Sequence, residues 1–264
     1  MMKTRAMARF AAPLFLAVAA GCCVSYPVER RAELLTAPPA VPAAVTLSVM
    51  SYNLEGLTWP ARVGRRPFLA EITQEFARMK AAGELHDVIG FQEACITDAL
   101  RTAATTPLAN LALGPRAPTP SGLPKSRDPV IRKRNYLRGE WGIRFMGSGL
   151  AIASRYPIIA QFSQPYGPTS CAGCDCLANK RVLLVRIVVP GLPDPVEIAT
   201  THMNAQGASK APPEKHLAAH NAQSAELANF LDKFSTPQSP LVLAGDFNMR
   251  RSPARLEAFQ QQNG

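Results

Sequence analysis

The chain has 264 residues, enough for one large domain or for a domain with tails. With 47% hydrophobic and 18% charged residues it can bury a real core, which excludes disorder throughout. A formal net charge of +10 points to polyanionic partners: nucleic acid, anionic lipid headgroups or phosphorylated substrates.

Residues 1–22 read as a lipoprotein-type signal peptide. Lys3, Arg5 and Arg9 form a positive n-region, and Phe10 to Ala20 is an apolar run. A membrane span needs roughly 20 residues, so this run is a signal-peptide core instead. Ala19-Ala20-Gly21 stand directly before Cys22 and resemble a bacterial lipobox. The resemblance implies lipidation at Cys22 and an exported lipoprotein anchored to membrane at the cell envelope, with soluble secretion as the alternative. Residues 23–44 are rich in Pro and Ala without periodicity, as expected of a tether, and residues 45–264 form the domain. In an oxidising compartment the cluster Cys171, Cys174 and Cys176 reads as disulfide-forming rather than zinc-binding; its connectivity, and any part played by Cys95, stay open.

Within the domain, Val45 to Tyr52 alternates apolar and small polar residues, as a strand does. Leu69, Ile72, Phe76 and Met79 have helical spacing within residues 68–82, and Asp87 to Phe91 is a short buried strand. Residues 105–140 form a basic, Pro-containing insertion too irregular for a core element. Residues 150–154 and 158–162 look like two strands joined by a turn, and residues 182–189 and 196–201 like a second pair. A helix is predicted over 213–234 with Pro213 in its first turn, then a strand over 241–244 and a last helix from Ser252-Pro253. Strand pairs with interspersed helices predict an α/β layered sandwich of mixed sheets rather than a doubly wound parallel fold.

Polar groups recur at the predicted strand ends: Asn53, Gln92-Glu93, His202 and Asn204, then Asp246 and Asn248. Strand termini on one edge of a sheet converge, and catalytic groups are commonly mounted there. Ser51-Tyr52-Asn53, Gly90-Phe91-Gln92-Glu93-Ala94, Gly147 to Ile152, Thr201-His202-Met203-Asn204 and Gly245-Asp246-Phe247-Asn248 resemble the successive signatures of the endonuclease/exonuclease/phosphatase superfamily, in the family's order. That resemblance implies two packed sheets flanked by helices and a Mg²⁺-dependent (or other divalent-cation-dependent) phosphodiesterase. It assigns Glu93 to the metal, with Asn53 supporting it directly or through water. It assigns His202 to the phosphate or the leaving group, Asn204 and Asn248 to the phosphoryl oxygens, and Asp246 to orienting the attacking water or its base. His86, His216 and His220 carry no motif and read as surface or helix residues.

Asp175-Cys176-Leu177-Ala178-Asn179-Lys180 resembles the sphingomyelinase segment that carries an Asp and a Lys five apart, which implies that Asp175 and Lys180 support substrate engagement. A phospholipid substrate is therefore favoured and a monomer expected. The basic run Arg116, Lys125, Arg127, Arg132, Lys133, Arg134 and Arg138 keeps an exported nuclease open as the alternative. A non-catalytic surface lipoprotein that retains the fold is the third reading. Family members also carry a later Ser-Asp-His-like strand. Met249 to Gly264 contains neither Asp nor His, so the expectation is a C-terminally incomplete, nearly inactive domain, or else a degenerate member.

Overall fold

A computed structural model describes residues 5–9, 44–58 and 61–264. The expected lipobox at Cys22 and nearly all of the tether lie outside the described residues.

The strands are β1 (Arg5–Arg9), β2 (Thr46–Gly56), β3 (Val88–Ala94), β4 (Asn110–Leu113), β5 (Ala151–Ser154), β6 (Ile158–Pro165), β7 (Arg181–Ile187), β8 (Val196–Thr201) and β9 (Leu241–Leu243). The helices are α1 (Arg66–Ala81), α2 (Thr97–Ala104), α3 (Pro129–Arg132), α4 (Pro213–Phe234) and α5 (Pro253–Asn263). One mixed sheet has the order β1-β2-β3-β5-β4 and the other β6-β7-β8-β9. The domain contributes four strands to each; β1, from the expected signal segment, adds antiparallel to the edge of β2.

Side-chain parity explains the layers. A strand sends successive side chains to opposite faces. In β2, Leu47 and Val49 enter the core between the sheets, while Met50 and Leu54 face α1 and α2. In β3, Val88 points between the sheets, and Ile89 and Phe91 point to the helices, where Phe76 stacks edge-on against Phe91. In β7, Leu183, Val185 and Ile187 point inward, while Val182 and Leu184 meet Leu227 and Phe230 of α4. β7 is therefore apolar on both faces, which is why that segment reads as a continuous hydrophobic run.

Two expectations needed correction. The segments 150–154 and 158–162 are consecutive but do not form a hairpin: β5 pairs with β3 and β4, and β6 begins the other sheet. The turn around Tyr156-Pro157 thus carries the chain across the sandwich. The second predicted pair is a true antiparallel pair, β7 with β8. The insertion also holds a core element, because β4 forms the far edge of the first sheet. Four residues with one deeply buried side chain, Ala112, leave too little alternation to be recognised.

Candidate active site

Parity carries each inward face on to the strand ends. Val242 packs against the core between the sheets and Ala244 lies within it, so Asp246 continues the same face. In β8, Val196 and Ile198 precede Thr200 and then His202 in the same phase. In β2, Leu47, Val49 and Ser51 lead to Asn53. Gln92 bonds Thr200 Oγ1 across the gap at 2.9 Å, tying the two sheets together just below these groups.

Glu93 would fall on the helix side by the same alternation. Its φ of 57° interrupts the alternation within β3 and turns the residue back toward Asn53. Positive φ in a non-glycine residue is uncommon and is held in place only by its surroundings. Gly149, at φ 62°, makes room for this turn: a Cβ there would lie 2.6 Å from Cys95 Sγ and 3.3 Å from Glu93 Cα. Gly245 is equally constrained, since a Cβ would sit 2.5 Å from the Thr201 carbonyl oxygen, where the chain bearing Asp246 passes β8.

The result is a compact acidic site. The Asn53 amide donates to Glu93 Oε1 at 2.9 Å and to Asp246 Oδ2 at 3.1 Å, and its oxygen accepts from the Glu55 N–H at 2.8 Å. His202 stands 3.9 Å from both carboxylates, Nδ1 toward Glu93 and Nε2 toward Asp246. Burial pushes the Glu93 carboxyl above its ordinary range, against the Asn53 hydrogen bond and Lys180, while Asp246 and Glu55 add repulsion. Burial also pushes Asp246 up, but His202, the Asn53 amide, the Asn248 N–H and Lys180 outweigh it and keep that carboxyl low. Burial, then Lys180, lowers His202 to about 4, against the two aspartates Asp246 and Asp175, so the imidazole is neutral at pH 7.

Of the expected residues, Asn53, Glu93, His202 and Asp246 meet directly. Asn204 does not join them: it is fully buried, its oxygen accepts from Ala172 N–H and its amide donates to the Ala205 carbonyl. It is a post behind the site, because the residues after His202 turn inward rather than along the strand. Asn248 is held at φ 51° with its amide on the Met203 carbonyl at 2.9 Å, and it too braces the loop.

Asp175 and Lys180 lie alongside; Lys180 is buried and Asp175 half-buried, so their ion pair is largely withdrawn from solvent. Lys180 Nζ is 3.2 Å from Asp175 Oδ2 and donates to the Met203 carbonyl at 2.9 Å; the same Oδ2 accepts from the Ala205 N–H. The Cys171–Cys176 disulfide closes the turn that carries Asp175, leaving Cys95 and Cys174 as free thiols among the described residues.

Arg255, on α5, was missed because nothing in its helical sequence context marks it. It is fully buried and donates to the carbonyls of Asn204 (2.6 Å), Asn248 (3.0 Å), Ala205 and His216. One side chain thus gathers the two loops that follow β8 and β9. His220 lies on α4 as a helix residue but is fully buried, with Nε2 on the Phe247 carbonyl at 2.9 Å. Burial, then Arg255, lowers its pKa from 6.5 to about 4, despite the opposing Phe247 and Asn221 bonds. Between pH 6.5 and 4 the unfolded chain binds a proton there that the fold excludes, so stability falls as the solution is acidified. His220→Gln, which can keep the Phe247 bond, is expected to remove up to about 3 kcal/mol of that acid sensitivity. Thermal melts of both proteins at pH 7 and pH 5 measure it; parallel losses would refute the assignment.

Among the described residues no three or more His, Cys, Asp or Glu side chains gather into a metal cage. The donor set nonetheless fits one hard cation: Glu93 is an anionic oxygen donor kept from water and near a second carboxylate, and Mg²⁺ binds few protein ligands while keeping several waters. Asn53 turns its amide nitrogen toward Glu93 and its oxygen toward the Glu55 N–H, so it braces the Glu93 carboxylate in this arrangement.

Several solved structures share the fold. Beta toxin from Staphylococcus aureus, in a mutant form solved with bound magnesium ions, aligns at 16% identity over 81% of this chain and 69% of its own, with a TM-score of 0.57. Sphingomyelinase C from Streptomyces griseocarneus aligns at 19% identity over 82% and 69%, TM-score 0.55. SmcL aligns at 18% identity over 82% and 68%, TM-score 0.57. Among curated protein sequences none matches. The family model of the Endonuclease/Exonuclease/phosphatase family matches residues 50–263, which span the strand ends bearing Asn53, Glu93, His202 and Asp246. The chain belongs to the endonuclease/exonuclease/phosphatase family, a family of hydrolases.

Proposed function

We propose that the chain is a divalent-cation-dependent phosphodiesterase of sphingomyelinase-like specificity, acting on a phospholipid. The observation that carries this reading is the largely buried Asp175–Lys180 pair, docked on the backbone of Met203 and Ala205 directly after His202. A buried pair costs desolvation and is poor support for stability, which favours a positioning role. Glu93 would hold the cation, which supplies charge neutralisation at the phosphoryl group. Neutral His202 can hydrogen-bond a phosphoryl oxygen, and anionic Asp246 can accept a proton-side hydrogen bond from the attacking water. Asn53 holds the two carboxylates apart and in register.

Whatever its rate, release of phosphocholine from sphingomyelin micelles is expected to require added Mg²⁺ and to stop in excess chelator. Lys180→Ala is expected to cut that turnover about tenfold or more while reducing hydrolysis of a small chromogenic phosphodiester less. Equal losses on both substrates would remove the sphingolipid reading, and full turnover in chelator would remove the cation. The second reading, a nuclease, draws on the exposed basic residues Arg116, Lys125, Arg127 and Arg132; faster turnover of DNA than of sphingomyelin would favour it.

A further inference from the structure

The segment from Tyr136 to Phe145 holds large apolar side chains out in solvent. Leu137 is fully exposed, and Tyr136, Trp141, Ile143 and Phe145 are 51–62% exposed. Five large apolar side chains exposed within one ten-residue segment are uncommon on a monomeric protein unless that surface has a use. The segment is also firmly built. Glu140 is buried, paired with Lys215, and accepts from the N–H groups of Asn135 (2.6 Å) and Gly173 (2.8 Å). Gly139, at φ 87°, closes the 3-10 turn Tyr136–Arg138 beneath Leu137. The Trp141 indole N–H is satisfied by the Tyr136 carbonyl, so the ring needs no further polar partner, and it packs edge-on against Phe145 at 5.9 Å.

Arg132, Lys133 and Arg138 are exposed around it, while the nearby acids are spent: Asp128 caps α3 and Glu140 is buried. The segment is also joined to the active site. Phe145 and Met146 N–H groups bond the Leu177 carbonyl, in the same short turn as Asp175, and Arg138 bonds the carbonyl of Lys210.

We propose that Tyr136–Phe145 is a membrane-docking platform that inserts Leu137, Trp141, Ile143 and Phe145 into the interface of an anionic phospholipid bilayer, with Arg132, Lys133 and Arg138 on the headgroups. Aromatic side chains with a satisfied polar tip suit the headgroup level, and basic residues add attraction to anionic lipid. A nucleic acid would not reward exposed Leu137 and Ile143. A second copy would bring the same basic rim and a further +10 net charge against the first. The platform deepens the phospholipid reading above, placing a bilayer at the rim beside Asp175 and Lys180.

Vesicle co-sedimentation tests it without requiring turnover, so docking and the substrate reading can fail separately. The full chain is expected to pellet with phosphatidylcholine vesicles containing phosphatidylglycerol and far less with phosphatidylcholine alone. The double variant Leu137→Asp/Ile143→Asp is expected to weaken that binding about tenfold or more. Arg132→Glu/Lys133→Glu is expected to weaken it about tenfold at low salt. All four positions are exposed, so thermal melts of the variants should match the parent. Variants that bind as the parent does would overturn the proposal, as would equal binding to both vesicle types. Loss of a concentration-dependent dimer in place of vesicle binding would also overturn it, and make the patch a self-association surface.

Discussion

Glu93→Gln is expected to lower phosphodiester turnover by on the order of 100-fold or more, because it removes the anionic oxygen best placed for a cation. It is expected to leave the thermal midpoint unchanged or slightly raised. Glu93 is desolvated, its carboxyl is pushed up by burial, and it faces Asp246 with only an amide between them. The neutral isostere relieves that repulsion and still accepts from Asn53. The fold thus carries this carboxylate at a cost, which is characteristic of a group retained for chemistry. Turnover and a melting curve on the same preparation check it. A large fall in the midpoint would make Glu93 structural, and undiminished turnover would remove it from the site.

Arg255→Met is expected to have the opposite signature, with stability lost first. The substitution keeps most of the volume but takes the donor from four carbonyls, on Asn204, Ala205, His216 and Asn248. The Ala205 and Asn248 carbonyls keep the Asn204 and Gln206 side-chain amides, whereas the Asn204 carbonyl loses its guanidinium partner. Hydrogen bonds from a charged donor are worth about 1.5–3 kcal/mol each. Relaxation recovers part of that, so a net loss of about 3 kcal/mol is expected. For a domain of this size that lowers the melting midpoint by roughly 6–12 °C. Turnover should fall too, since Asn204 and Asn248 brace the loops that position His202 and Asp246. A variant that melts like the parent would show that water or a rearranged side chain replaces the guanidinium. Burial, opposed by Asp175, already lowers the Arg255 pKa to about 10, and it forms no ion pair among the described residues. Its role is therefore backbone hydrogen bonding rather than charge pairing.

The separation between what could be read early and what could not follows the range of the interactions involved. The alternation from Val45 to Tyr52, the apolar segment 182–189 and the Pro-initiated helix over 213–234 are local patterns, and elements form there as Thr46–Gly56, Arg181–Ile187 and Pro213–Phe234. Polar residues at strand ends were also legible, so Asn53, Glu93, His202 and Asp246 could be named together from the chain alone. Pairing was not. Residues 150–154 and 158–162 look like a hairpin locally, yet the inward faces of β5 and β6 belong to opposite layers, and only packing across the sandwich decides that.

The same distinction holds inside the site. Sequence by itself determined the family, the layered architecture and the four residues that meet, because each depends on short-range periodicity or on motifs a few residues long. Only the tertiary structure decided which asparagine sits between the two carboxylates and which brace the neighbouring loops, since Asn204 and Asn248 differ from Asn53 solely in what surrounds them. It alone revealed Arg255, whose four carbonyl partners lie 7 to 51 residues away in the chain. It alone revealed that the end of the basic insertion and the residues after it, Tyr136–Phe145, expose large apolar side chains, because exposure is a property of the folded surface. Motifs record the chemistry a chain needs at one place, whereas burial and long-range hydrogen bonding arise only once distant segments are brought together.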